Sequence, residues 1–354
     1  MPPSNDYSPA FKDIIRIVGR GRKLQRDLTT EEATQAMRLL LSAEISDAQI
    51  GAFLITMRVK EETVDEIIGF LQGVREIIQP FPRPNVEGLV DLALPYDGKE
   101  KHLQTSVCSA LVISAVGVPV LLHGLDNIPA KIGVAPLNLL RALGYPADLP
   151  PHAVSRNIET THFGVLNLDH TLPEWTRLTP LRHHFGLRTL LNTVEKLINP
   201  ADAPIHINGF YHGNYLMRLA TALPGSQTNW IVQGEEGGVD IRPGKKTRVY
   251  QAQGGVMAEI MINAADYGFT EAVPLEAPND PEFHARELRL ALSGERGAIY
   301  DQIALTSATL LWMTGNAPDI HAGLETARNV LDDGAAIAIL ERTQTVVSEP
   351  QIQV

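Results

Sequence analysis

Cysteine is nearly absent from this chain: 354 residues contain one, Cys108. A single thiol closes no internal disulfide and builds no cysteine-based zinc site, so a disulfide scaffold and a zinc ribbon are both excluded. Basic charge is in deficit. Thirty Lys and Arg face 41 Asp and Glu, for a net charge of −11. That excludes a protein that coats DNA by bulk charge but leaves room for a local basic patch, because binding follows the local field. Long apolar runs are also missing. Each is broken by Gly, Pro or a polar residue well short of ~18 residues, so no membrane span is expected. The opening MPPSNDYSPAFKDII lacks a positive stretch followed by an apolar one. No signal peptide is read there, and a cytoplasmic protein is expected.

What is present is ordinary globular material. Hydrophobic residues make up 44% and charged residues 20%, enough to bury a real core, and the length suggests two packed units. Residues 11–80 read as helical. Thr29 to Glu32 is a capping box, in which the threonine side chain accepts from the third amide and the glutamate reaches back. Ser46 to Gln49 and Thr63 to Glu66 repeat the signal. Apolar residues follow at helical spacing, including Ala33, Met37, Leu40 and Leu41, then Ile67, Ile68, Leu71, Val74 and Ile78. The sequence FPRP at 81–84 ends the helical run, since proline cannot continue it.

Past residue 88 the pattern changes. GLVDLAL (88–94), GVPVLLHG (117–124) and NWIVQG (229–234) are short apolar runs bounded by turn residues, and a buried helix is read between the first two. Such alternation predicts a mainly parallel sheet covered on both faces. Ligands of such sheets sit at the carboxyl ends of the strands, which singles out the loops LPYDGKEK, HGLDN and QGEEGG. Residues 172–200 turn helical again and are expected to rejoin the first helices. Helices are also expected over 281–295, 299–315 and 319–341. The predicted fold is α/β: a helical unit of residues 1–85 with 172–203, and a larger α/β unit of 86–171 with 204–354.

Three segments carry a family resemblance. PLRHHFGLRTLLNTVEKLINPA (180–201) resembles a signature of anthranilate phosphoribosyltransferase, with Arg182, Gly186, Arg188, Thr189, Asn192, Asn199 and Pro200 in the family's order. SALVISAVGVPVLLHG (109–124) resembles its helix–strand unit ending in His-Gly, and VQGEEGGVDI (232–241) its Gly-x-x-Gly-x-Asp-Glu turn. The likeness spans roughly residues 15–345 and implies a nucleoside phosphorylase or phosphoribosyltransferase type of fold, a homodimer, and a glycosyltransferase. That family binds phosphoribosyl pyrophosphate (PRPP) with Mg²⁺ and transfers the ribosyl phosphate to an amine. The resemblance places Asp97, Gly98, Ser106, His123, Gly124 and Arg182 at the substrate, with Arg182 toward the acceptor's carboxylate, and Ser106 and Asp240 at the metal.

The chain also departs from that pattern. The family's Gly-Thr-Gly-Gly-Asp-Gly loop stands here as Leu94-Pro95-Tyr96-Asp97-Gly98-Lys99. Proline removes a donor and tyrosine adds bulk where a pyrophosphate would approach close-set amides. A phosphate-facing lysine becomes Leu122, an arginine becomes Asp126, and the acidic metal pair becomes Asp240-Ile241. Each lost charged contact costs about 1.5–3 kcal/mol, so the ordinary reaction is expected to be weak. Lys99, Lys101 and Lys131 offer point charges as a different solution.

Two functions follow. One resembles the family's divergent paralogues: the pyrophosphate loop is lost, anthranilate transfer is little or none, and single-stranded nucleic acid or a related phosphate ligand is bound through Arg16, Arg20, Arg22, Lys23 and Arg26. The alternative is an active, Mg²⁺-dependent phosphoribosyltransferase using PRPP and an amine or base acceptor. His123 reads either as part of a ligand pocket or as a hydrogen-bonded strand end. Arg182 reads either as a ligand contact or as half of a structural ion pair. His183 and His184, adjacent on a helix, cannot share a metal, and Cys108 reads as inert core.

Overall fold

The computed structural model describes residues 8–21, 23–42, 44–273 and 275–348. Four helices come first: α1 (Pro9–Gly19), α2 (Thr30–Leu41), α3 (Asp47–Lys60) and α4 (Val64–Arg75). All three capping boxes form. Thr29, Ser46 and Thr63 accept from the third amide, and Glu32, Gln49 and Glu66 return the bond. Helices α2 and α4 meet closely because Gly69 has no Cβ; one placed there would lie 2.4 Å from the Thr30 carbonyl oxygen.

The α/β part follows with β1 (Val90–Ala93), α5 (Thr105–Ala115), β2 (Val120–Gly124), α6 (Pro136–Ala142), α7 (Pro151–Thr161) and β3 (Phe163–Asn167). Three short helices interrupt it: α8 (Pro173–Thr176), α9 (Thr179–Phe185) and α10 (Leu190–Val194). The sheet resumes with β4 (Ile205–Gly209), α11 (Gly213–Ala222), β5 (Thr228–Val232), β6 (Lys246–Gln253) and β7 (Val256–Asn263). Four helices close the chain: α12 (Pro281–Leu292), α13 (Ala298–Met313), α14 (Ile320–Asp332) and α15 (Ala335–Ser348). The single helix expected over 319–341 is thus two. The α14 helix stops at Asp333, and Gly334 turns the chain at a φ of 66°.

The seven strands lie in the order β3-β2-β1-β4-β5-β6-β7. The first five are parallel, and β6 and β7 add an antiparallel hairpin at one edge. Strand β1 sits between β2 and β4, so the direction of winding reverses there. The crevice at the carboxyl ends of β1 and β4 is where an open α/β sheet accepts a ligand.

Two large apolar clusters hold the molecule together. One packs the sheet against α5, α13, α14 and α15, with α5 buried nearly all round. The other joins α1–α4 to residues 168–198 and to α11. Ring contacts of Phe11 with Phe53 and of Phe53 with Phe70 sit at its centre. The crevice lies where the two clusters meet.

Candidate functional site

A cavity of about 690 Å³ opens at that junction. The loops after β1, β4 and β5 supply Tyr96 and Asp97, Phe210 and Tyr211, and Glu236. The helical side supplies Arg58 from the end of α3, and Arg188 and Lys196 from around α10. Arg188 forks onto Asp97 through Nε at 2.7 Å and Nη2 at 2.9 Å, a planar two-point pairing that only a guanidinium makes.

Below the cavity lies a buried ion pair. Lys99 Nζ is 2.5 Å from Asp240 Oδ2, and neither side chain has any exposed surface. The same ammonium donates to the Leu103 carbonyl at 3.1 Å. Thr105 donates to the other Asp240 oxygen and accepts from Gln302 Nε2 at 3.0 Å. Burial alone would push the Asp240 carboxyl up, but Lys99 and the hydroxyl donors outweigh it and hold it below the usual carboxylate range. Gly238 completes the enclosure: a Cβ there would stand 2.4 Å from Asp240 Oδ2, 3.1 Å from Ser106 Oγ and 3.3 Å from Lys99 Cε.

This arrangement does not fit a magnesium ion. Magnesium keeps several waters and takes one or two protein carboxylates together with substrate phosphates, so it needs at least one carboxylate free to turn toward it. Here the Asp240 carboxylate is engaged by an ammonium and a hydroxyl, and the position after it is Ile241. Among the described residues, no group of three or more His, Cys, Asp or Glu side chains is placed to hold a metal ion. Ser106 and Asp240, the residues expected at the metal, do lie together here, with Lys99 supplying the positive charge against the Asp240 carboxylate. Lys99, read as a point charge for an anion, is spent on the Asp240 carboxylate and does not line the cavity.

At the lip of the cavity, Glu236 gathers four donors. The amides of Glu100 and Lys101 reach its two oxygens at 3.1 and 3.0 Å. His102 Nδ1 lies 2.9 Å away, and Lys131 Nζ closes the set. Burial would raise this carboxyl, yet the Lys131, His102 and amide hydrogen bonds bring it down to about 2. Lys131 thus meets a carboxylate of the chain itself.

Behind the cavity floor runs a buried polar line. Tyr96 hydroxyl is bonded to His123 Nδ1, His123 Nε2 lies 3.3 Å from Asp91 Oδ2, and His206 Nε2 lies 3.4 Å from the same oxygen. The register makes the line possible, because Asp91 on β1 pairs directly with His206 on β4. His123 stands here as a hydrogen-bonded residue at the end of β2. Gly124, beside it, packs on Leu137. Neither lines the cavity. Lys196 does line it. Its Nζ donates to the Gly209 carbonyl and lies 3.5 Å from the centre of the Phe210 ring. Burial, reinforced by the charge of Arg188, lowers this lysine to about 7.

Arg182 is turned inward. It is 1% exposed and bound through Nη1 and Nη2 to Glu195 at 2.7 and 3.2 Å, with Trp175 Nε1 donating to the same carboxylate at 3.1 Å. It is the structural half of an ion pair and does not reach the cavity. Asp97 does face it. Gly98 instead turns the loop at a φ of 69° against the 133–135 backbone. Ser106 is buried beside Asp240. Near the N-terminus, Arg16 pairs with Asp13 and Arg26 with Glu32, so two of the five basic residues have acidic partners that weaken the local field. Arg20 and Lys23 are exposed, and Arg22 lies outside the described residues. No helix among the described residues is long and apolar enough to cross a membrane.

Sequence reasoning missed Arg58, Asp91, Glu195, Lys196, His206 and Glu236. Glu236 had a signal in the glycine-rich loop QGEEGG. Asp91 had one too, as a charge inside an apolar strand.

Comparison with known proteins places this geometry among relatives. The glycosyl transferase family's helical bundle domain matches residues 12–77, and its a/b domain matches residues 97–337. The chain is 32% identical over 336 residues to an anthranilate phosphoribosyltransferase of Azorhizobium caulinodans, covering 94% of this chain and 95% of that protein. It is 32% identical over 336 residues to the one of Rubrobacter xylanophilus, covering 94% and 96%. The crystal structure of anthranilate phosphoribosyltransferase from Thermus thermophilus superposes with a TM-score of 0.83 at 29% identity, over 97% of this chain and 100% of that one. The Saccharomyces cerevisiae enzyme, solved in complex with PRPP and Mg, shares the fold at a TM-score of 0.80 and 20% identity, over 96% and 98%.

Proposed function

Since the chain belongs to the glycosyl transferase family, with both its helical bundle and its a/b domain, we propose that it is a phosphoribosyl-type transferase acting in the cavity between the two. The donor is a sugar phosphate of the PRPP class, and the acceptor is an amine or a nitrogen base. The observation that carries this reading is the mixed charge of the cavity wall. Arg58, Lys131 and Arg188 supply cations for phosphate groups, while Glu61, Glu62, Asp97, Glu100, Glu195 and Glu236 supply carboxylates. Transfer of a ribosyl group builds positive charge on the sugar as negative charge leaves with the phosphates. A wall of both signs, fixed beforehand, favours that separation.

Lys196 suits the acceptor side. A lysine lowered to about 7 is partly neutral near physiological pH and is able to take a proton from an attacking amine. No step passes through a metal at Asp240, because that carboxylate is committed to Lys99. We also propose the division into a helical unit, 1–85 with 172–203, and an α/β unit, 86–171 with 204–354. A homodimer is proposed from the family resemblance and is checked by sedimentation equilibrium.

Calorimetric titration with PRPP, with and without Mg²⁺, tests the function, together with a pyrophosphate-release assay over a panel of amine and base acceptors that includes anthranilate. The expected outcome is binding tighter than ~1 mM, about −4 kcal/mol, in both conditions, and pyrophosphate release with at least one acceptor. Absence of PRPP binding in both conditions overturns the reading, and salt-sensitive binding of a single-stranded oligonucleotide in its place would favour the nucleic-acid function.

A further inference from the structure

Glu236 holds an unusual position for a glutamate. Its backbone lies at φ 50° and ψ 20°, in the left-handed region that side chains seldom adopt. It stands between Gly234 and Gly237 in a short glycine-rich loop after β5, and its carboxylate caps four donors from a different part of the chain. Two of those donors are the successive backbone amides of Glu100 and Lys101, which converge on its two oxygens. Successive amides converging on one point, backed by a lysine and an imidazole, are the elements of an oxyanion cradle. Of the cradle, Glu100 and Lys131 belong to the cavity wall, and so does Glu236 itself.

A simple surface ion pair would need only Lys131 and Glu236. It would not need two main-chain amides and a histidine, nor a strained backbone to deliver the acid to them. His102 is held from its other side as well: its Nε2 is 3.1 Å from Glu235, which in turn pairs with Arg242 at 2.8 Å. The cradle is therefore built and oriented by a second layer of charges.

We propose that the amides of Glu100 and Lys101 with His102 and Lys131 form a phosphate-binding site, and that Glu236 is its internal occupant, displaced when a phosphoryl or pyrophosphoryl group enters. The carboxylate imitates the anion and keeps the donors paired while the site is free of ligand. A half-buried ammonium and two amides left unpaired would otherwise be costly. Because the occupant is tethered to the cradle, it competes at high effective concentration, and only a ligand carrying more negative charge or further contacts in the cavity displaces it. The inference rests on the transferase reading for the identity of the ligand but not for the existence of the site.

The test is calorimetric titration of the full chain, wild type and Glu236→Ala, with inorganic phosphate, inorganic pyrophosphate and ribose 5-phosphate as separate probes. Wild type is expected to bind inorganic phosphate weakly, and Glu236→Ala at least ten-fold more tightly. The gain is expected to disappear in Glu236→Ala combined with Lys131→Met. Comparing the three probes identifies which phosphate the site takes. Far-ultraviolet circular dichroism checks folding. If Glu236→Ala does not fold, Glu236→Gln, which keeps the shape and removes the charge, is read instead and is expected to gain at least three-fold. The proposal is overturned if the folded variant binds none of the three probes more tightly than wild type does. PRPP bound by wild type in that case would leave the transferase reading standing; tighter phosphate binding without any PRPP binding would leave the site standing and remove the transferase.

Discussion

Replacing Lys99 by methionine leaves the Asp240 carboxylate buried without its counter-charge. The two charged atoms are 2.5 Å apart and both side chains are fully enclosed. At an effective dielectric constant of about 20, attraction at that distance is about 7 kcal/mol. Part of this is offset, because the variant no longer buries an ammonium. Removing one partner of a buried pair typically costs about 3–5 kcal/mol, and that is the expected loss, read from urea denaturation at pH 7. The loss has a pH signature. In wild type the Asp240 carboxyl sits below its usual range, so its stabilising contribution is present above the unfolded value of about 4 and fades as pH falls through the lower folded value. In the variant, burial without Lys99 raises the folded value above the unfolded one. The deficit is then largest at high pH and shrinks as pH falls and the carboxyl accepts a proton. Millimolar Mg²⁺ is expected to leave the wild-type midpoint unchanged, since a ligand of the native state would raise it. A deficit under about 1 kcal/mol that stays flat from pH 4 to 8, or a Mg²⁺-dependent rise in the wild type that is lost in Asp240→Asn, would refute the reasoning.

Other consequences follow from neighbouring groups. Arg182→Met strands Glu195 in the helical core, where the Trp175 indole still donates to it but carries no charge, and is expected to cost about 3–5 kcal/mol in the same denaturation assay; a loss below about 1 kcal/mol would count against a structural role. Gly238→Ala places a methyl group 2.4 Å from Asp240 Oδ2 and is expected to lower the thermal midpoint by several degrees, whereas an unchanged midpoint would mean the loop yields freely. Lys196, lowered to about 7, binds fewer protons folded than unfolded between pH 7 and about 10, so its burial costs most below pH 7 and the cost falls as pH rises. Stability should therefore increase by up to about 1.4 kcal/mol per pH unit between pH 7 and 9 from this group. Lys196→Met should remove that slope, and identical pH profiles for variant and wild type would disprove the assignment.

The helical half was written plainly in the sequence. Thr29, Ser46 and Thr63 each open a helix with the partner three residues on, and a capping box depends on the chain's own neighbours, so it can be read locally. The parallel strands β1, β2 and β5 were legible as short apolar runs between turns. The hairpin of β6 and β7 was not named, although Gly254-Gly255 between two alternating stretches marks it. Family membership was legible as well, through motifs in order along the chain.

Charge pairing was beyond the sequence. Lys99 and Asp240 are 141 residues apart, Glu236 and Lys131 are 105 apart, and Arg188 and Asp97 are 91 apart. A lysine in a loop has the same local pattern whether it faces solvent, a phosphate or a buried acid, because its role is set by whichever opposite charge the fold brings within reach. Local pattern therefore determined the elements and their order. Only the packing of the sheet against the helical bundle decided that the cation beside Asp240 is a lysine, that Arg182 turns inward, and that a glutamate fills the cradle at the mouth of the cavity.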